Sequence, residues 1–269
     1  MGMTGPVILW IACLGACIGS FTNVVVWRLP RGESVVHPGS HCPRCGHAIR
    51  WHDNIPILGW LALGGRCRDC ASAVSWRYPT VEALTSLLWL SALLVGPAGG
   101  GGLPAAWLPW AGLPLIGLLL PLTLIDLDHL WLPESLCRWG LLLGLVVSGS
   151  GGLTLFSHHL IAAVLGLLAL EGISALGEKV IGQPALGLGD AKLAALGGAW
   201  LGSAGLTMAL GLAVLSGALV GSAARLSGRL GPRQPFAFGP FIALGIWLVW
   251  LQGPSWWWDQ WLELTGPLL

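Results

Sequence analysis

Apolar residues run through this chain in long blocks. They do not form the narrow stripes or alternations of a water-soluble fold. Eight blocks approach the roughly 20 residues that cross a bilayer. They lie near 5–27, 80–97, 105–125, 134–149, 157–177, 189–204, 206–225 and 238–253. The pattern predicts an all-α polytopic membrane protein with about eight transmembrane helices. The sixth and seventh could instead form one long re-entrant hairpin. A polar, Pro- and Arg-rich stretch interrupts the series at 28–79. The predicted organisation is a first transmembrane helix (1–27), a small polar module (28–79) and a transmembrane core (80–269).

Composition agrees with this pattern. Hydrophobic residues make up 55% of the chain and charged residues only 9%, against about 25% charged in a soluble domain. The first block has no basic residues ahead of it and basic residues after it, so it reads as an anchor and not as a cleavable signal. Orientation follows from the 13 Lys and Arg residues. With the N-terminus outside, all fall on one side. Seven lie between the first two blocks: Arg28, Arg31, Arg44, Arg50, Arg66, Arg68 and Arg77. Arg138, Lys179, Lys192, Arg225, Arg229 and Arg233 follow, while the Ala98–Pro104 loop and the tail after Gly253 carry none. The positive-inside rule puts the basic loops in the cytoplasm, which predicts a multi-pass membrane protein surrounded by lipid. Trp256, Trp257, Trp258 and Trp261 read as an aromatic belt at the outer interface. A net charge of +1 gives no reason to expect a nucleic-acid partner.

The polar module contains Cys42-Pro43-Arg44-Cys45 and Cys67-Arg68-Asp69-Cys70, with 21 residues between the pairs. This spacing suits a four-thiolate zinc site, and a cytoplasmic location argues against disulfides. Gly46, Gly64 and Gly65 stand where tight turns need them. Four thiolates close the coordination sphere, so the metal is expected to be structural. It would fold a loop too small to build its own core. The alternative is a set of free or redox-active thiols. Cys13, Cys17 and Cys137 lie in or beside apolar blocks and read as packing residues. His41, His47 and His52 exceed the four ligands needed.

Two aspartates stand at the edges of apolar blocks. Asp126 follows Leu124-Ile125, and Asp190 closes Gly187-Leu188-Gly189-Asp190. An ionisable residue in a membrane segment is costly, about 2.5–3.5 kcal/mol at the centre on insertion scales, and is a functional candidate by default. Gly187 and Gly189 allow close backbone approach beside Asp190. Asp190 also suits the first turn of the helix that follows, and Asp126 could simply be an interfacial acid. The charge bias places both on the cytoplasmic face. Two adjacent carboxylates that share a proton can activate water and protonate a leaving group. That is the equipment of an aspartyl protease. Asp128 lies half a helical turn away and points elsewhere. No H-E-x-x-H, Walker-type loop or dinucleotide fingerprint is present, and no nucleophile–histidine arrangement competes.

The chain resembles the bacterial type IV prepilin peptidases, also called leader peptidase/N-methyltransferases, which are GxGD-type intramembrane aspartyl proteases. The resemblance rests on Gly19-Ser20-Phe21-Thr22-Asn23 through Arg28-Leu29-Pro30, both cysteine pairs, Asn54-Ile55-Pro56, and Arg77-Tyr78-Pro79 with Glu82. It continues through Asp126-Leu127-Asp128-His129 with Leu132-Pro133, then Gly187 to Leu193, and Phe238-Gly239-Pro240-Phe241. The GxGD motif maps onto Gly187, Gly189 and Asp190, and the first acid onto Asp126. Glu134 stands where many members have Asp, and Ala71-Ser72-Ala73 where a proline is common.

The resemblance implies cleavage of the basic leader of type IV prepilins or type II secretion pseudopilins, after a glycine, at the cytoplasmic membrane face. It also implies methylation of the new N-terminus with S-adenosylmethionine. The expected donor position lies between the 28–79 module and the carboxylates, with Glu82 and Asp53 as candidates to pair its cationic groups. Either acid could instead pair Arg77 or Arg50. Alternatives are an intramembrane aspartyl protease without methyl transfer, a proton-coupled transporter, and an inactive assembly scaffold. A transporter would carry internal repeats and midplane acids.

Overall fold

The computed structural model describes residues 5–94, 108–182, 186–231 and 234–266. The Ala98–Pro104 loop, Arg233 and the facing ends of the second and third predicted spans lie outside them. The described chain is helical: α1 (Gly5–Arg28), α2 (Leu58–Ala62), α3 (Arg77–Leu94), α4 (Leu108–His129), α5 (Glu134–Gly149), α6 (Leu153–Ile181), α7 (Leu188–Leu226), α8 (Gly239–Gln252) and α9 (Pro254–Thr265). Among the described residues, four segments are long and apolar enough to cross a membrane: Gly5–Arg31, Trp110–His129, Leu153–Val180 and Leu188–Leu226. The chain forms two compact units, one ending at Leu94 and the other beginning at Val95.

In the first unit α1 packs along α3. A Cβ on Gly19 would lie 2.6 Å from Glu82 Cα, so only glycine permits this approach. The Ser86 hydroxyl donates to the Ala12 carbonyl at 2.9 Å, a polar tie between apolar helices. The loop between α1 and α3 is fastened at its start by Arg28. This buried guanidinium donates to the carbonyls of Ser34 and Gly39 at 3.1 and 3.2 Å.

In the second unit α7 is the central element and packs against α5, α6 and α8. It holds the sixth and seventh predicted spans with no loop between them. Gly202, at φ 67 and ψ −175, breaks the helix in place. That break releases the Ala199 carbonyl from the helical ladder, and buried His159 bonds it through Nδ1 at 3.0 Å. His158 meets the Ser203 hydroxyl at 3.1 Å on the other side of the break. His159 thus partners a carbonyl at a chain interruption within an apolar helix, where a bilayer would offer no water to do so.

Trp200 and Trp250, both fully buried, meet edge to face with centroids 5.6 Å apart and lock α7 to α8. These helices approach closely at Gly245, where a Cβ would lie 2.2 Å from the Ala209 carbonyl oxygen. Gly245→Ala must push backbone from backbone. The expected result is a destabilisation of about 1–3 kcal/mol or more, read as a lower unfolding temperature of the detergent-solubilised protein.

Candidate active site and thiolate cluster

Asp126 occupies the last turn of α4. The helix runs past it to His129, and Leu130, at φ 52, ends it while its amide bonds the Asp126 carbonyl at 2.8 Å. Asp126 is 5% exposed, whereas Asp128, two residues on, faces outward. The Gly239 amide, at the start of α8, donates to Asp126 Oδ2 at 2.9 Å. Asp190 sits in the first turn of α7 and is 8% exposed. Its Oδ2 accepts from the Gly187 amide at 3.1 Å, so the capping role open to it in the sequence is present. Gly189, next to Asp190, and Gly239, bound to Asp126, both close on Leu132, which brings the two carboxylates to one neighbourhood. Each therefore has one oxygen tied to a glycine amide and one not so tied.

Leu132 sets the spacing of these parts. A Cβ on Gly189 would lie 2.9 Å from Leu132 Cβ. One on Gly239 would lie 2.7 Å from Asp126 Oδ2 and 3.3 Å from Leu132 Cδ1. Close approach requires glycine at both positions. Gly187 has a different task, supplying the amide to Asp190. Outside the pair, Glu134 joins Arg138 at 2.7 Å and Lys192 at 3.1 Å, tying the first turns of α5 and α7 together. The Gly239 amide, the Leu132 spacer and the Glu134–Lys192 tie have roles that the sequence did not reveal. The Gly-Pro opening of α8 is the signal that could have pointed to the first.

The four cysteines form two matching turns in the first unit. Antiparallel bridges His41–Ala48 and Arg66–Ala73 frame them. Within each turn the first cysteine's carbonyl accepts from the residue four positions on, Gly46 in one and Ala71 in the other, both at 2.9 Å. Both acceptor turns need the left-handed region. Gly46 has φ 72, and Ala71 adopts φ 54 at the cost of its Cβ. All four sulfurs lie within 4.8 Å of one another. Cys42–Cys70 is 3.8 Å and Cys45–Cys67 4.0 Å, close to the roughly 3.8 Å edge of a tetrahedron with 2.3 Å zinc–sulfur bonds.

The surroundings favour thiolate at some of these positions. Amides of Cys45 and then Arg44 bring Cys42 down to about 6. Hydrogen bonds from Ser72 lower Cys70. Cys45 accepts from the His47 amide, but burial and its cysteine neighbours push it up to about 12. Four sulfurs gathered in this way could hold a metal ion.

Of the two acids considered for the donor, Asp53 is committed. Its carboxylate accepts two bonds from the Arg68 guanidinium, at 2.7 and 2.5 Å. These bonds, ahead of the weaker pull of His52 and Arg50, hold Asp53 below the usual carboxylate range. Glu82 pairs with no cation among the described residues.

Residues 13–95 match the model of the bacterial Peptidase A24 N-terminal domain, and residues 113–222 that of the type IV leader peptidase family. A prepilin leader peptidase/N-methyltransferase of Myxococcus xanthus is 42% identical over 234 residues, 86% of this chain and 68% of that protein. Proteins of the same name from Aeromonas salmonicida and Pseudomonas aeruginosa are each 36% identical. The first match covers 88% of both chains, the second 91% of this chain and 90% of the relative. The chain belongs to the type IV leader peptidase family. No solved structure matches it. Family membership bears out the resemblance read from the motifs.

Proposed function

We propose that the protein removes the leader peptide of type IV prepilins or type II secretion pseudopilins at the cytoplasmic membrane face. It then N-methylates the new N-terminus. Family membership and the names of its relatives support the activity. The observation that carries the mechanism is the pair of buried aspartates from two helices, each steadied by a glycine amide.

In this reading one carboxylate is ionised and takes a proton from water. The oxygen attacks the scissile carbonyl, and the other carboxyl gives its proton to the departing amide nitrogen. No covalent intermediate forms. Gly187 and Gly239 orient the acids, Gly189 lets Leu132 close beneath them, and the Glu134–Lys192 tie braces the two helix starts. Asp128, turned outward, takes no part. Asp128→Asn is expected to keep cleavage within about tenfold of wild type, below the loss typical of a general acid or base. An equal loss in initial-rate assays would give Asp128 the role assigned to Asp126.

The finer organisation follows the same reading. The protein is multi-pass in the inner membrane, with about eight spans, the N-terminus outside and lipid around it. Residues 28–79 form a cytoplasmic module closed by zinc on Cys42, Cys45, Cys67 and Cys70, and 80–269 form the peptidase core. The sulfur tetrahedron supports zinc. The metal supplies folding energy and has no open position for chemistry. Incubating the purified protein with a full-length prepilin tests the activity: the leader should be lost at a single bond. An intact substrate would refute it.

A further inference from the structure

A cavity of about 240 Å³ opens within the first unit, lined by Cys17, Ser20, Phe21 and Val24 of α1 and by Ser40, Asn54 and Pro56 of the cysteine-bearing loop. The four helix residues recur at i, i+3, i+4 and i+7 and so share one face. The cavity is slightly smaller than the roughly 300–1,000 Å³ of most ligand pockets, so it suits part of a small molecule. Its lining is chemically mixed. Phe21 is half exposed and offers a ring face. Two serines offer hydroxyls. The Asn54 side-chain amide, a paired donor and acceptor, makes no hydrogen bond to any described residue.

Two irregularities stand directly behind this wall. Glu82 is 7% exposed and accepts from the Ile57 amide at 2.7 Å, and its backbone packs against Gly19, the residue before Ser20. A buried carboxylate without a cation is costly. The second is Ile57 itself. Its backbone lies at φ 64 and ψ −54, and the Leu58 amide bonds back to the Pro56 carbonyl at 2.6 Å. This is the rare hand of the γ-turn, and a β-branched residue there is strained. The strain aims the Ile57 amide at Glu82, and Pro56, the turn's first residue, lines the cavity. Strain of this kind, of order 1–3 kcal/mol, gathers at ligand sites.

We propose that this cavity is the methyl-donor site and takes the nucleoside portion of S-adenosylmethionine. The inference rests on the methyltransferase half of the proposed function. Phe21 stacks on the adenine, and the Asn54 amide pairs with the adenine edge in the two-bond fashion open to asparagine. Ser20 and Ser40 meet the ribose hydroxyls. Glu82 places negative charge behind the wall, where the bound sulfonium would be its missing cation. The donor, when bound, supplies a methyl group to the neutral terminal amine. The amine gives up a proton, and the donor leaves as an uncharged thioether. The cation that Glu82 favours is thus present before transfer and absent after it.

Calorimetric titration of the full-length, zinc-loaded protein in nanodiscs with S-adenosylmethionine and S-adenosylhomocysteine tests this. Asn54→Ala should weaken both by about tenfold, the worth of one or two hydrogen bonds. Glu82→Gln should weaken the sulfonium by about tenfold and the thioether far less, since only one carries the charge. Zinc content reports folding. Should Glu82→Gln lose zinc, Asn54→Ala and Phe21→Ala decide the matter. Wild-type affinity for both compounds in Asn54→Ala and Phe21→Ala would overturn the assignment and leave the family activity standing. A wild-type protein that cleaves leaders but neither binds the donor nor transfers methyl would overturn the methyltransferase reading itself.

Discussion

Asp126→Asn or Asp190→Asn should abolish leader cleavage, lowering kcat/KM by at least about 10³-fold, within the range for losing a general acid or base. Asparagine keeps the shape of each side chain and can still accept from the Gly239 or Gly187 amide, so α4, α7 and α8 should pack as before. It cannot take a proton from water. Nor can it give one to a leaving nitrogen. The loss should therefore fall on kcat, with KM little changed and membrane insertion unaffected. Kinetics on a purified prepilin check this, with size-exclusion profiles of the variants as the control for folding. Normal cleavage by either variant would remove the pair from the mechanism.

Loss of the metal should be the other large effect, and of a different kind. Zinc binding is worth about 10–16 kcal/mol in small zinc peptides, more than a loop like 28–79 can gather from its own apolar contacts. Cys42→Ser removes the most buried sulfur of the four. Zinc should fall from one per chain, and trypsin should cut the loop at Arg44, Arg50 or Arg66. Acid should release the metal from the wild type, because protons compete for the thiolates. Cleavage should survive in part, since Asp126 and Asp190 belong to the other unit. Elemental analysis showing no metal, together with four readily alkylated thiols, would refute the site.

The long apolar blocks made most helices legible, and the misses have physical causes. The sequence suggested that α6 ends near 177, because Glu178 and Lys179 interrupt the apolar run. The helix continues to Ile181 because charged residues are compatible with helical backbone and Gly182 supplies the left-handed cap at φ 76. The meeting of the sixth and seventh blocks in α7 was open because Gly202 breaks the helix without using a loop. Trp256–Trp258 read as a belt, and the helix α9 that carries them went unforeseen.

The acids and cysteines were legible for a different reason: their residue types are costly or rare where they stand. Their supports were not. The Gly-Pro opening of α8 marks a helix start, but it does not say which acid the Gly239 amide serves, since 113 residues separate it from Asp126. Nor does the sequence show the φ of Ile57. It does not show the partner of Asp53 either, which is Arg68 and not the nearer Arg50 or the Arg77 considered from sequence.

The central claim is that this chain cuts prepilin leaders with Asp126 and Asp190. Mass spectrometry of one prepilin, incubated in parallel with wild type, Asp126→Asn and Asp190→Asn under matched conditions, tests it most directly. The account predicts a single new N-terminus with wild type, at the junction of leader and apolar segment, and an intact substrate with both variants. An intact substrate with wild type, or the same new N-terminus with either variant, would contradict it.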